Sequence, residues 1–231
     1  MLGNCKGGIS SDEQSVKFRS QNLATHNRPL KKMTTFTKTT FSMNEKKPVL
    51  FLLDAMALAY RAYYAMIKNP VRNSKGLNTS AVLGFANTIL DLINKEKPHL
   101  LGVAFDTIAP TARHDEFDFY KANRQPMPDD LSISLPYIKE MLQLMDIPIL
   151  EVDGYEADDV IGTLAKEAET RGYQTFMMTP DKDFGQLVSE NIFMYKPAKF
   201  GAAPEVWGVR EVCDRFGIER PEQVIDILAI M

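Results

Sequence analysis

Zinc has few soft ligands to find in this chain. Its three histidines (His26, His99, His114) and two cysteines (Cys5, Cys213) are scattered through 231 residues, with no CxxC pair and no basis for a disulfide framework. No apolar run approaches the roughly 20 residues that span a bilayer, so no membrane association is expected and a reducing cytoplasm fits best. No GxSxG surrounds a serine, and the turn after the first apolar run reads LLDAMALAYR, without the glycines a phosphate cradle needs. These absences exclude the common thiol, serine-hydrolase and dinucleotide chemistries. Internal repeats are also missing.

Carboxylates are placed with more regularity. VLFLL runs into Asp54, GVAF into Asp106, PILEVDGY precedes Glu156, Asp158 and Asp159, and TFMMTP precedes Asp181 and Asp183. Apolar runs of this length, alternating with helical spacing, predict an α/β fold with buried parallel strands joined by right-handed crossovers. Such sheets bind ligands at the carboxyl ends of their strands, which would bring seven acids to one edge. Two carboxylates 4 Å apart at an effective dielectric of 20 repel by about 4 kcal/mol, so a cluster of this kind calls for cations. Hard oxygen ligands suit Mg²⁺ or Mn²⁺, and a pair of such ions suits phosphodiester hydrolysis.

Each acid also has a plainer explanation. Glu156, Asp158 and Asp159 fall in a predicted first helical turn, where acids complement the helix dipole. Asp183 is a candidate N-cap, and Asp54 and Asp106 are candidate caps after their strands. Capping alone does not explain acids at four successive strand ends.

Charge is uneven along the chain. Residues 1–43 carry seven Lys or Arg against two acids, a surplus of five, so the overall −3 leaves −8 for residues 44–231. The first segment is rich in Ser, Thr, Lys and Asn without a sustained period, and is read as a disordered N-terminal extension. Either Met1 or Met43 could be the working start; a processed targeting segment is the competing explanation. From Pro48 onward the pattern predicts strands at 49–53, 100–105, 148–152, 174–179 and 191–195. Helices are predicted at 55–68, from about Thr79 to Lys97, from PMPDD to about Asp146, over EADDVIGTLAKEAETRG and briefly at DFGQLV. WGVREVCDRFGIERPEQVIDILAIM reads as two helical pieces, with Pro221 in the first turn of the second.

A second constellation is PTARHDEFDFYKANRQPMP, residues 110–128. Arg113, Lys121 and Arg124 alternate with Phe117, Phe119 and Tyr120, a mixture able to meet phosphates and stack on bases or to form an ordinary amphipathic helix. Around Arg61 the tyrosines Tyr60, Tyr63 and Tyr64 are expected in the core, with Arg61 reaching the acidic edge.

Together, DAMALAYRAYYA, VAFD, PTARHDEF…YKANRQPMPDDL, GYEADDVIGTLA and TPDKDFGQLV resemble the 5′ to 3′ exonuclease domain of bacterial DNA polymerase I, within the flap endonuclease and PIN-like superfamily. The resemblance runs from about Pro48 to Met231 and implies a three-layer PIN-like domain over 44–231: a central, mainly parallel twisted sheet, helices on both faces and a helical arch. It implies Asp54, Asp106, Glu156, Asp158, Asp159, Asp181 and Asp183 as ligands divided between two Mg²⁺ ions, with Mn²⁺ able to substitute. Tyr120, Lys121 and Arg124 match the arch, Lys121 and Arg124 as catalytic residues at the scissile phosphate, and Arg61 and Arg113 match basic positions near the nucleic acid. The implied partner is DNA bearing a 5′ flap, a nick or an RNA primer. A polymerase domain is expected in the same full-length chain, which is expected to be monomeric, bacterial, cytoplasmic and nucleoid-associated. In the family a Gly-Asp-x-x-Asp-Asn segment and a helix-hairpin-helix element follow the position of VIDILAIM, so the chain is expected to be an incomplete domain. Two alternatives are an inactive DNA-binding fragment and a PIN-like ribonuclease.

Because residues 1–42 lack the apolar content to join a core, deleting them should leave the melting temperature unchanged. A fall of several degrees in a thermal scan would show that they pack.

Overall fold

A computed structural model describes residues 47–107, 125–197 and 203–230. The N-terminal extension, its boundary at residue 43 and the expected arch lie outside those residues. Strand β1 (Val49–Asp54) leads to α1 (Ala55–Ala65) and α2 (Ser80–Glu96), then β2 (Leu100–Ala104), α3 (Asp129–Leu144) and β3 (Ile149–Leu150). Helix α4 (Ala157–Thr170), β4 (Gln174–Met178), a 3-10 helix (Lys182–Leu187), β5 (Ile192–Lys196) and β6 (Glu205–Trp207) follow. The described chain closes with α5 (Val209–Phe216), a 3-10 turn (Pro221–Gln223) and α6 (Val224–Ala229).

The six strands form one sheet in the order β3-β2-β1-β4-β5-β6, parallel throughout except for β6, which is antiparallel to β5. Both faces are covered, as expected for near-continuous apolar strands. Phe51 and Leu53 of β1 pack on one face with Leu58, Phe85, Ile89, Ile138 and Leu142 of α1, α2 and α3. Leu52 points to the other, where it meets Val160, Ile161, Phe184, Val212 and Val224. The expected three layers are present. Right-handed crossovers explain the strand order: α1–α2 and α3 cover one face while the chain steps from β1 to β2 to β3, and reversing direction to reach β4 requires α4 to cross on the opposite face. Connections leaving β1 and β4 therefore diverge to opposite faces and open a crevice between these two strands.

Several boundaries differ from those predicted. Helix α1 stops at Ala65 instead of 68, where Met66 and Ile67 form turn hydrogen bonds to the Tyr63 and Tyr64 carbonyls. Of the predicted 148–152 strand, Ile149 and Leu150 are in register with β2, and the Pro148 carbonyl accepts from the Val103 N–H at 3.0 Å. Strand β6 is absent from the predicted elements and takes in Trp207, the first residue of the segment read as helical; the Trp207 ring lies 3.3 Å from Lys196 Nζ and 4.5 Å from the Arg215 guanidinium, measured to the ring centroid, a contact between elements that periodicity does not report. Pro221 opens a 3-10 turn ahead of α6 rather than the helix itself.

Helices α1 and α2 approach closely because Gly84 carries no side chain. A Cβ there would lie 2.7 Å from the Ala62 Cβ and 3.3 Å from its backbone Cα. Gly84→Val should therefore destabilise the domain by about 1–3 kcal/mol, because backbone cannot yield as a flexible side chain can. Urea unfolding of the variant at an unchanged midpoint would contradict this packing.

Candidate active site at the carboxyl edge of the sheet

Parallel register decides which side chains meet at the crevice. Leu53 pairs with Met178, which carries Asp54 alongside Thr179, and Asp54 itself pairs with Ala104, two residues before Asp106. Asp54 is the N-cap of α1, its Oδ1 accepting from the Ala57 N–H at 2.9 Å. Its Oδ2 accepts from the Thr179 hydroxyl at 3.3 Å. Asp106 Oδ1 accepts from the Ala157 N–H at 2.8 Å, so an acid from β2 caps α4 from outside that helix. Asp54 thus takes the plainer role foreseen for it, a cap on the helix after its strand, whereas Asp106 caps α4 and not the helix or loop that follows β2; both caps hold the carboxylates at the edge.

The third acidic group arrives at the start of a helix, as expected. Glu156 lies six residues beyond β3 and comes to the edge as the buried N-cap of α4, at 6 % exposure. The Asp159 carboxylate accepts from the Glu156 N–H at 3.1 Å in a capping box. Asp158, one residue earlier in the same turn, faces the other acids. Its carboxyl is pushed up from 3.8 to about 7, first by burial and then by the charges of Asp54, Asp181, Asp106 and Glu156. Asp54 is also raised, mainly by burial, against the lowering effect of the Ala57 N–H and with a further rise from Asp106.

Three residues past β4, Asp181 caps the 3-10 helix by accepting from the Asp183 N–H at 3.0 Å. The predicted N-cap was Asp183; it lies instead in the first turn, exposed, with its carboxyl raised by burial and by Asp181. Asp54, Asp106, Glu156, Asp158 and Asp181 thus share one field, with Asp159 engaged in capping and Asp183 beyond Asp181. Among the described residues no three metal-ligating side chains converge on a single point as they stand. Mutual repulsion accounts for carboxylates that gather without closing. An all-carboxylate oxygen donor set with one acid raised to neutrality fits a hard divalent cation and offers nothing to a soft one.

Arg61 Nη2 donates to the Pro197 carbonyl at 3.2 Å, placing the guanidinium beside the carboxyl end of β5. Tyr60 and Tyr63 pack against the core, whereas Tyr64, also expected inside, is 53 % exposed and contacts both rings from outside. Arg113, Tyr120, Lys121 and Arg124 lie outside the described residues. Sequence reasoning passed over Thr179; its only signal was a hydroxyl just past the apolar Phe176–Met178 run.

This crevice lies at the topological switch point where open α/β sheets hold ligands. The family described as "5′-3′ exonuclease, N-terminal resolvase-like domain" matches residues 49–217, and the chain belongs to it. A 5′-3′ exonuclease of Aquifex aeolicus is 41 % identical over 182 residues, covering 79 % of this chain and 61 % of that protein. DNA polymerase I of Bacillus subtilis is 39 % identical over 189 residues, covering 82 % of this chain and 21 % of the polymerase. The chain thus spans about three fifths of the first relative and one fifth of the second. The bacteriophage T5 flap endonuclease, solved with DNA and metal ions, shares the fold at a TM-score of 0.57 and 18 % identity, over 79 % of this chain and 66 % of that one.

With the metal chelated, Asp158 should make stability depend on pH. Its folded value lies above its ordinary one, so its contribution is full below about pH 4 and is lost as pH rises through about 7. Asp158→Asn should therefore gain on the parent in urea unfolding between about pH 5 and about pH 8. A difference that does not change with pH would remove Asp158 from the shared field.

Proposed function

We propose that this chain is the nuclease part of a divalent-metal-dependent 5′-3′ exonuclease and 5′-flap endonuclease acting on DNA. The observation that carries this reading is the gathering of acids from four parts of the chain, Asp54, Asp106, Glu156 with Asp158, and Asp181, at a sheet switch point. Family membership supplies the reaction class. Asp54, Asp106, Glu156, Asp158, Asp159, Asp181 and Asp183 would be divided between two Mg²⁺ positions, with Mn²⁺ as a substitute. Cations bound there would activate water and neutralise charge developing on the phosphate oxygens. The T5 5′-exonuclease, a fold neighbour at 18 % identity, has been solved with zinc bound, which supports a divalent ion without selecting Mg²⁺.

The chain's own residues then divide the work. Backbone N–H groups of Ala57 and Ala157 orient Asp54 and Asp106 before any ligand arrives. Arg61 lies beside the β5 end of the same edge, where a guanidinium can meet a phosphate oxygen. Lys121 and Arg124 would hold the scissile phosphate, with Tyr120 stacking on a base and Arg113 on the approach path. Substrates of this class are 5′ flaps, nicks and RNA primers, and the parent would be monomeric, nucleoid-associated and joined to a polymerase domain, as in the polymerase I relatives.

Asp181→Asn or Asp54→Asn, in a chain extended through the remainder of the nuclease, should abolish Mg²⁺-dependent cleavage of a 5′-flap duplex while the circular dichroism spectrum stays unchanged. Cleavage within a few-fold of the parent would exclude these residues as ligands. Lys121→Ala and Arg124→Ala should slow single-turnover cleavage more than they weaken duplex binding. A loss confined to affinity would move both residues to a peripheral role. A single-stranded RNA cut faster than the DNA flap would favour a ribonuclease.

A further inference from the structure

We propose that Thr179 is a positioning residue for the metal centre, its hydroxyl joining Asp54 of β1 to the turn that presents Asp181 and Asp183. The assignment rests on the metal-dependent reading above. Thr179 follows the last residue of β4, is 2 % exposed and lies alongside Asp54 by sheet register. Its Oγ1 donates to Asp54 Oδ2 at 3.3 Å and accepts from the Asp181 N–H at 3.2 Å. A threonine hydroxyl has one proton, and here it goes to the carboxylate while a lone pair takes the amide. The proton is thus engaged with an acid rather than facing a ligand.

Consequences follow for both sides of the crevice. Asp54 has Oδ1 held from α1 and Oδ2 held from β4, so its plane is set from two elements. Asp181, once its amide is fixed, accepts from the Asp183 N–H at 3.0 Å, extending an ordered path from β1 through the turn to the 3-10 helix. A β-branched residue has few rotamers, which keeps the hydroxyl aimed in a buried place. The acids of the two strands that flank the switch point are thereby locked to each other. Outer partners of this kind orient ligating carboxylates, and their loss typically lowers metal affinity about 10- to 100-fold.

Three variants of the full chain test the assignment, Thr179→Val, Thr179→Ala and Thr179→Ser, with Mn²⁺ binding followed by calorimetry at neutral pH and melting temperatures recorded in chelator. Val keeps the shape and removes the hydroxyl, Ala is the second hydroxyl-free form should Val fail to fold, and Ser restores both hydrogen bonds. Mn²⁺ affinity should fall about tenfold or more in the hydroxyl-free forms and stay within about threefold of the parent in Thr179→Ser. In the extended nuclease, kcat on a 5′ flap should fall with KM for DNA unchanged. Parent-like Mn²⁺ affinity in a folded hydroxyl-free variant would overturn the assignment, even if the melting temperature dropped, since that pattern belongs to a purely structural hydroxyl. Failure of the unmodified chain to bind Mn²⁺ would instead strike the metal-dependent reading, and the role of Thr179 would fall with it.

Discussion

Repulsion among carboxylates is the constraint around which this molecule is arranged. Asp54, Asp106, Glu156, Asp158 and Asp181 come from four separate parts of the chain and meet at one edge, where their like charges repel one another. A folded domain tolerates that cost only if packing elsewhere exceeds it. Two apolar layers, one under α1, α2 and α3 and the other under α4, α5 and α6, supply the packing. The strands that carry the acids are anchored well inside both, with Leu53 and Val103 fully buried just before the edge.

Local hydrogen bonding turns a liability into preorganisation. Asp54 and Asp106 each accept a helix N-terminal amide, Asp159 closes the capping box of α4, and Asp181 caps the 3-10 helix. Capping and ligand binding had stood as competing explanations of these acids. In the structure the cap fixes the orientation of the carboxylate, so the two roles are compatible. Only Asp158 faces its neighbours without such a role among those acids, and its raised value records the strength of the field they create.

Much of this was legible in the order of residues. Apolar runs such as VLFLL and GVAF identified central strands because a strand buried on both faces has few polar positions to blur it. The acids at their ends then followed from strand parallelism. Edge elements were less legible: β3 pairs through two residues, and β6 is held by Trp207 between Lys196 and Arg215, a tertiary contact with no periodic signature. Thr179 escaped notice for a related reason, since its partners come from β1 and from its own turn, and only sheet register brings them together. Tyr64 shows the converse error, an aromatic read as core that the helix turns outward.

The most direct test of the account is an anomalous-difference map from crystals of this chain soaked in Mn²⁺. The account predicts peaks in the crevice between β1 and β4, within coordination distance of Asp54, Asp106, Asp158 and Asp181. Saturating Mn²⁺ with no peak there, or with peaks confined to exposed acids away from the switch point, would contradict it.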